Sequence, residues 1–226
     1  MTRNPPSLFN PPPKHIVWDW NGTLLNDVET ALFAVNRLLA EHRLPVLARD
    51  AYLECFGFPM RDFYERVGFP SDIPPAQWES MVRAYHDSLN LLPAAIFTDA
   101  RDTLERLRAA GFQQSVLSAL HQPLLDKELA ENGLARFFTL VCGAPDLNGS
   151  SKLETGRGLL RGLALPPNEI LLVGDTLHDA EVGRGLGVQC ALVSRGHQNA
   201  ARLAAANVPV FANLEHVATE ILRKNP

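Results

Sequence analysis

From Asp99 onward the chain alternates short apolar runs with amphipathic segments, and this alternation constrains the fold more than any other feature. Asp99–Ala110 has helical spacing with Gly111 just past its end, and Ser115–Leu117 is a short apolar run ending at Ser118. Pro123–Asn132 is helical and closes on Gly133. Thr139–Cys142 reads as a strand, Leu153–Leu163 as a helix, and Ile170–Val173 as a strongly apolar strand ending in Gly174-Asp175. A helix at Asp179–Leu186 and a strand at Cys190–Val193 follow. Helices at Asn199–Ala206 and Leu214–Arg223 then flank a short Val208–Phe211 strand. Strands that alternate with helices form a parallel sheet covered on both faces, so the expected fold class is α/β.

The first strand of that sheet is predicted earlier, at His15–Val17. Four helical candidates separate it from the next: Asp27–Arg43, Ala48–Phe56, Pro59–Val67 and Pro74–Leu92. In the first of these, Val28, Ala31, Leu32, Val35, Leu38 and Leu39 share one helical face. No strand signal interrupts this block, so residues 27–93 read as an inserted α-helical cap on a core made of 15–26 and 94–226. Residues 1–14 carry the clusters Pro5-Pro6 and Pro11-Pro12-Pro13, which supply no backbone donors, and read as a mobile or polyproline-like leader. A ligand for a proline-recognition domain is the alternative reading of that leader.

Composition removes several classes. A formal charge of −4 and a pI near 6.0 leave no electrostatic footprint for nucleic acid. Cys55, Cys142 and Cys190 are odd in number and lack C-x-x-C spacing, which fits reduced thiols. No segment has the length and apolarity of a membrane span, and the N-terminus lacks the apolar stretch of a signal peptide. A cytoplasmic protein, monomeric or homodimeric, is expected. Gly183-Arg184-Gly185-Leu186-Gly187 and Gly156-Arg157-Gly158 imitate dinucleotide-binding glycines but fall inside or late in helices, where that fingerprint fails.

Chemistry concentrates where the predicted strands end. W-D-W-N-G-T-L-L-N-D at Trp18–Asp27 puts Asp19 just beyond the first strand, before a turn that Gly22 permits and beside the hydroxyl of Thr23. Ser118 ends the next strand, Lys152 heads a helix, and G-D-T-L-H-D carries Asp175 and Asp179. Strand ends of an open parallel sheet converge on one crevice. Carboxylates and a lysine there, with the amides of a Gly turn, suit a divalent cation and a phosphate. Each residue also has an ordinary explanation. Ser118 caps the next helix, Lys152 is a solvated helix-start residue, and Asp179 complements a helix dipole.

Taken together, D-W-N-G-T-L, V-L-S, the lysine of S-S-K-L and L-L-V-G-D-T-L-H-D resemble the four signature segments of the haloacid dehalogenase superfamily, mostly magnesium-dependent phosphatases. The resemblance runs from His15 to the end and includes an α-helical cap like that of phosphoglycolate phosphatase-like members. It implies a Rossmann-like core and hydrolysis of a small phosphorylated metabolite with Mg2+. Asp19 is then the nucleophile that forms an aspartyl-phosphate. It is also a metal ligand, together with the backbone carbonyl of Asn21 and with Asp175. Ser118 and Lys152 hold the phosphoryl oxygens, with Gly22, Thr23 and Ala119 beside them. Asp179 orients Lys152 or a metal-bound water. The cap segment Cys55–Phe69 resembles the family's specificity loop, in which Arg61, Arg66 and Tyr64 meet the substrate or form a solvated helix face. The cap is expected to close over the site.

One position departs from the pattern. The residue two after the nucleophile is usually a second Asp, which protonates the leaving group and then activates water; here it is Asn21. An amide has no proton to exchange at neutral pH, and loss of a general acid typically costs on the order of 10²–10⁴ in rate. The phosphonate-cleaving branch needs a cap lysine, and there is none between Lys14 and Lys127. The dehalogenase branch works without the metal segment that Asp175 and Asp179 retain. His178, His121 and His197 are candidates for a substitute proton relay. Two readings follow: a phosphatase with an altered acid/base arrangement, or a phosphate- or metabolite-binding protein derived from one.

Overall fold

The computed structural model describes residues 7–147 and 152–223 of the 226-residue chain. In chain order its elements begin with β1 (His15–Trp18), β2 (Leu25–Asn26), α1 (Val28–Glu41), α2 (Arg49–Cys55), α3 (Met60–Arg66), α4 (Pro75–Leu89) and β3 (Ala95–Ile96). There follow α5 (Ala100–Ala109), β4 (Gln113–His121), α6 (Gln122–Glu131), β5 (Val141–Ala144), α7 (Lys152–Leu163) and β6 (Ile170–Gly174). The chain closes with α8 (Leu177–Leu186), β7 (Gln189–Val193), α9 (Ala200–Leu203), β8 (Val210–Phe211) and α10 (Leu214–Ile221).

Six strands form one parallel sheet in the order β5-β4-β1-β6-β7-β8. The strict alternation of strand side chains divides its core. Ile16, Trp18, Val116, Leu171, Val173, Ala191 and Val193 face one side, against Leu104 and Leu107 of α5, Leu125 and Leu129 of α6, and Val217 of α10. Val17, Leu117, Ile170 and Leu172 face the other, against Leu159 of α7 and Val182 of α8. Both faces are dry, which is why these strands read as continuous apolar runs. β1, in the middle of the sheet, ends at Asp19, whose N–H extends the ladder to the Val173 carbonyl at 2.8 Å. The segment carrying Asp19 therefore grows from a strand buried along its whole length.

Residues of α1–α4 form a separate apolar cluster that includes Val35, Leu39, Tyr52, Phe63, Tyr64 and Trp78, with α1 packed along α4. The chain leaves the core through β2 and returns through β3, and these two strands pair antiparallel with Leu25 opposite Ile96. The sequence pattern missed this two-residue pair because it is too short to show a period.

The expected mobile leader is corrected over the residues described. Phe9 is only 2% exposed, 6.5 Å from Phe211, and belongs to the core cluster. Leu8 N–H donates to Glu220 Oε1 at 2.8 Å, Gln189 Nε2 donates to the Pro11 carbonyl at 2.8 Å, and Lys14 N–H donates to the Glu169 carbonyl at 2.7 Å. One aromatic anchor between two proline clusters suffices, because prolines have no N–H to leave unsatisfied. Residues 1–6 of that leader lie outside the described residues.

Smaller differences concern ends. β4 continues past Ser118 to His121, with its pairing to β5 shifting register between Leu117 and His121. The predicted Asn199–Ala206 helix is a four-residue α9 followed by a 3-10 turn.

Candidate active site

Asp19, Asp175, Asp179 and Lys152 meet at the carboxyl edge of the sheet, as the strand-end argument expects. Lys152 Nζ donates to Asp19 Oδ1 and to Asp179 Oδ1, both at 2.6 Å, and all three side chains are under 10% exposed. Asp179 is fixed from its other oxygen. Oδ2 accepts from the Thr176 hydroxyl at 2.7 Å, the Thr176 N–H at 3.0 Å and the Asp175 N–H at 3.2 Å. Thr176 and Asp179 form a capping box on α8, so the helix start that aims Asp179 at Lys152 is locked by the same atoms.

Asp175 is completely buried. Its Oδ1 accepts from Thr23 Oγ1 at 3.3 Å and its Oδ2 from the His197 N–H at 2.6 Å. Gly22, at φ +72°, and Gly196 close on it from two sides, and a Cβ at either would overlap its carboxylate. Gly196 drew no attention in the sequence because a lone glycine in a loop carries no signal.

Burial pushes Asp19 up to about 6, with Asp179 adding to the rise and Lys152 opposing it. Burial likewise raises Asp175 well above the usual carboxylate range. Asp179 lies below that range: burial works against its charge, but Lys152 and Thr176 outweigh it.

Three buried carboxylates share this space with a single ammonium, so keeping all three ionised calls for a further cation among them. Asp19, Asp175 and Asp179 each offer an oxygen within 4.8 Å of the others. Hard oxygen donors with surplus negative charge fit a divalent cation such as Mg2+.

A second buried network, largely missed from the sequence, lies alongside. Asp27 stands at the N-cap of α1 without capping it. Its Oδ2 accepts from Asn21 Nδ2 at 2.8 Å, and its Oδ1 accepts from the Gly22 N–H at 2.8 Å and pairs with His197 Nε2 at 3.2 Å. On the far side His197 Nδ1 meets the Tyr52 hydroxyl of α2 at 2.8 Å. Burial opposes the charge on His197, but Asp27 beside it raises its pKa to about 9. A charged His197 donates from both ring nitrogens, so Tyr52 accepts. Asp27 in turn is held below its usual range by His197 and the two donors, despite burial. The available clue was an acidic residue closing the motif, indistinguishable in sequence from an ordinary helix start.

Core and cap are joined through the same loop. Gln198 Nε2 donates to the Phe56 carbonyl at 3.0 Å, and Arg202 Nη1 donates to the carbonyls of Leu53 at 2.9 Å and Phe56 at 2.7 Å. Between core and cap lies a cavity of about 140 Å³. Asp19, Asn21, Ser118, Ala119, Lys152, Asp175 and His197 line it from the core, and Tyr64 from the cap.

Ser118 does not cap α6; its Oγ accepts the Leu120 N–H at 3.0 Å. Thr23 is buried and turned to Asp175 rather than to the cavity. Arg61 is not brought to this cavity either. Its guanidinium lies 4.5 Å over the Trp78 ring and donates to the Ile73 carbonyl, so the aromatic face and that carbonyl hold it there. Arg66 donates to the Cys55 carbonyl at 3.1 Å. Of the three histidine candidates only His197 lines the cavity; His178 stacks 4.7 Å from Phe58 beside a second opening, and His121 ends β4.

This arrangement is that of a hydrolase family, and residues 16–193 match the model of haloacid dehalogenase-like hydrolases. The chain belongs to that family. It is 22% identical over 204 residues to a phosphoglycolate phosphatase of Pseudomonas savastanoi pv. phaseolicola, covering 86% of this chain and 74% of that one. It is 25% identical over 186 residues to the pyrophosphatase PpaX of Halalkalibacterium halodurans, covering 79% and 82%. Among solved structures, a predicted phosphatase from Clostridium acetobutylicum superposes with a TM-score of 0.78 at 18% identity, covering 92% of this chain and 98% of that one. No helix among the described residues is long and apolar enough to cross a membrane.

Proposed function

We propose that the protein is a magnesium-dependent phosphatase that hydrolyses a small phosphomonoester through Asp19, with residues 27–93 as its cap. The observation that carries this reading is the position of Asp19: it lines a cavity between core and cap, its Oδ1 held by Lys152, inside a carboxylate cluster fit for a dication. Asp19, Asp175 and the Asn21 carbonyl would hold the cation, which when bound neutralises the carboxylates and the phosphoryl oxygens.

An Asp19 oxygen attacks phosphorus, the bond to the ester oxygen breaks, and its electron pair leaves with that oxygen. Water then attacks phosphorus, the bond to Asp19 breaks, and phosphate departs. Lys152 and Ser118 hold the phosphoryl oxygens, while Asp179 fixes Lys152. The apolar cap walls keep bulk water from the acyl phosphate.

The named relatives support phosphoryl chemistry, and the three aspartates in one cluster support the metal. The test compares wild type with Asp19→Asn in Mg2+. Wild type should hydrolyse phosphomonoesters and yield an acid-stable, hydroxylamine-labile phosphoprotein, and Asp19→Asn should yield neither. Turnover that survives Asp19→Asn overturns the reading, and silence of the wild type favours the binding-protein alternative.

A further inference from the structure

The two halves of the cavity make unequal demands on a substrate, and this inference rests on the phosphatase reading above. On the cap side the walls are Phe56, Phe58, Tyr64, Trp78, Val82 and Tyr85. None of the six arginines in residues 27–93 lines the cavity, and that stretch has no lysine. Arg49 is paired with Glu29, Arg61 lies on Trp78, Arg66 is bound to the Cys55 carbonyl, and Arg83 is paired with Glu79. His86, which also lines the cavity, is biased toward its neutral form by burial. A leaving group bearing a carboxylate or a second phosphate would bury its charge there without a partner, which is strongly unfavourable.

On the core side no described group stands ready to protonate the departing oxygen. The Asn21 amide is engaged with Asp27, and both carboxylate oxygens of Asp27 are taken up by Asn21, the Gly22 N–H and His197. Both ring nitrogens of His197 are engaged, by Asp27 and Tyr52. Without a proton donor, the rate depends on how well the leaving oxygen bears negative charge. A phenol, like a tyrosine side chain, has a pKa of about 10. An alkanol is a far weaker acid, close to water itself.

We propose that the substrate is an aryl phosphate, whose uncharged ring packs against the aromatic cap wall and whose phenolate departs from phosphorus without help. The ester bond from phosphorus to the aryl oxygen breaks, Asp19 takes the phosphoryl group, and the phenolate takes its proton from water. Hydrolysis of the acyl phosphate returns Asp19 and releases phosphate.

Steady-state kinetics of the full chain in Mg2+ separate the two demands, using substituted phenyl phosphates, benzyl phosphate, glycerol phosphate and phosphoglycolate. KM should follow the ring, with phenyl and benzyl phosphates alike and phosphoglycolate far weaker. The kcat should follow leaving-group acidity, with phenyl phosphates about 100-fold or more above the alkyl esters. Asn21→Asp should shrink that kcat gap by accelerating benzyl and glycerol phosphates. Phe58→Ala, at a half-buried position, should raise KM for phenyl phosphate and leave inhibition by inorganic phosphate unchanged. If phosphoglycolate or glycerol phosphate matches phenyl phosphate in kcat/KM, or if Phe58→Ala leaves KM unmoved, the aryl assignment falls and the phosphatase reading stands. If no ester is turned over and no phosphoprotein forms, the phosphatase reading falls and takes the assignment with it.

Discussion

The core half and the cap half of the cavity are built from opposite materials. On the core side most side chains are charged or hydrogen-bonding, and Asp175 and Asp27 are each held by two or three partners. On the cap side ring meets ring, with Phe56 5.9 Å from Phe58 and Tyr64 5.5 Å from Trp78. Buried polar networks fix atoms in place, whereas apolar walls fix volume and exclude water. On the proposed reading, the core half would determine which bond is cleaved and the cap half what is admitted to it.

Three variants test how sharp this division is. The largest effect on the fold is expected at Lys152. Replacing it by Met leaves Asp19 and Asp179 buried without their cation, at a cost of about 3–5 kcal/mol. Urea denaturation without metal would measure the loss, and added Mg2+ should recover part of it. An unchanged midpoint would mean that the core side is not the electrostatically demanding half.

Tyr52→Phe probes the seam between the halves. It removes the cap's hydroxyl from His197 and leaves a buried ring nitrogen without a partner, a loss of about 1–3 kcal/mol. The expected signature is lower stability with more rapid amide exchange in α1–α4 than in the sheet. Equal exchange in both halves would show that Tyr52 does not hold the cap.

The smallest effect lies away from the cavity, within the sheet. His15 is fully buried on β1, its Nε2 2.9 Å from Ser115 Oγ, and burial lowers its pKa to about 4. The unfolded chain binds a proton there below about 6.5, and the folded one does not until about 4. Its contribution is thus complete above pH 6.5 and is lost as pH falls toward 4. Stability measured across that interval should fall less steeply with acid in His15→Gln than in wild type. Parallel curves would place the acid sensitivity elsewhere.

Much of the core half was readable in the chain. Asp19 and Asp175 follow apolar runs, and a carboxylate at the end of a buried strand has few ordinary explanations, whereas Asp179 also reads as a helix-start charge. Lys152 was harder, since one lysine at a helix start looks like any other. Its two 2.6 Å contacts depend on α7 and α8 lying side by side. The periodicity of α1–α4 announced a helical cap but not which of its rings would face the cavity, because several faces of these short helices carry aromatics.

What the sequence determined by itself was local: the order of strands and helices, the glycine turn after Asp19, the apolar runs that both faces of the sheet require, and the lack of a second acid at Asn21. These follow from neighbours along the chain, through steric limits and side-chain periodicity. Tertiary structure alone decided the rest. It brought Asp27, His197 and Tyr52, far apart in the chain, into one network, packed Phe9 against the core and seated Gly196 against Asp175. It also drew Arg61 away onto Trp78. The His197 contacts join residues 145 and 170 positions apart, Gly196 meets Asp175 only where its loop folds back, and Arg61 is drawn to nearby partners. None of these leaves a periodic trace in the sequence.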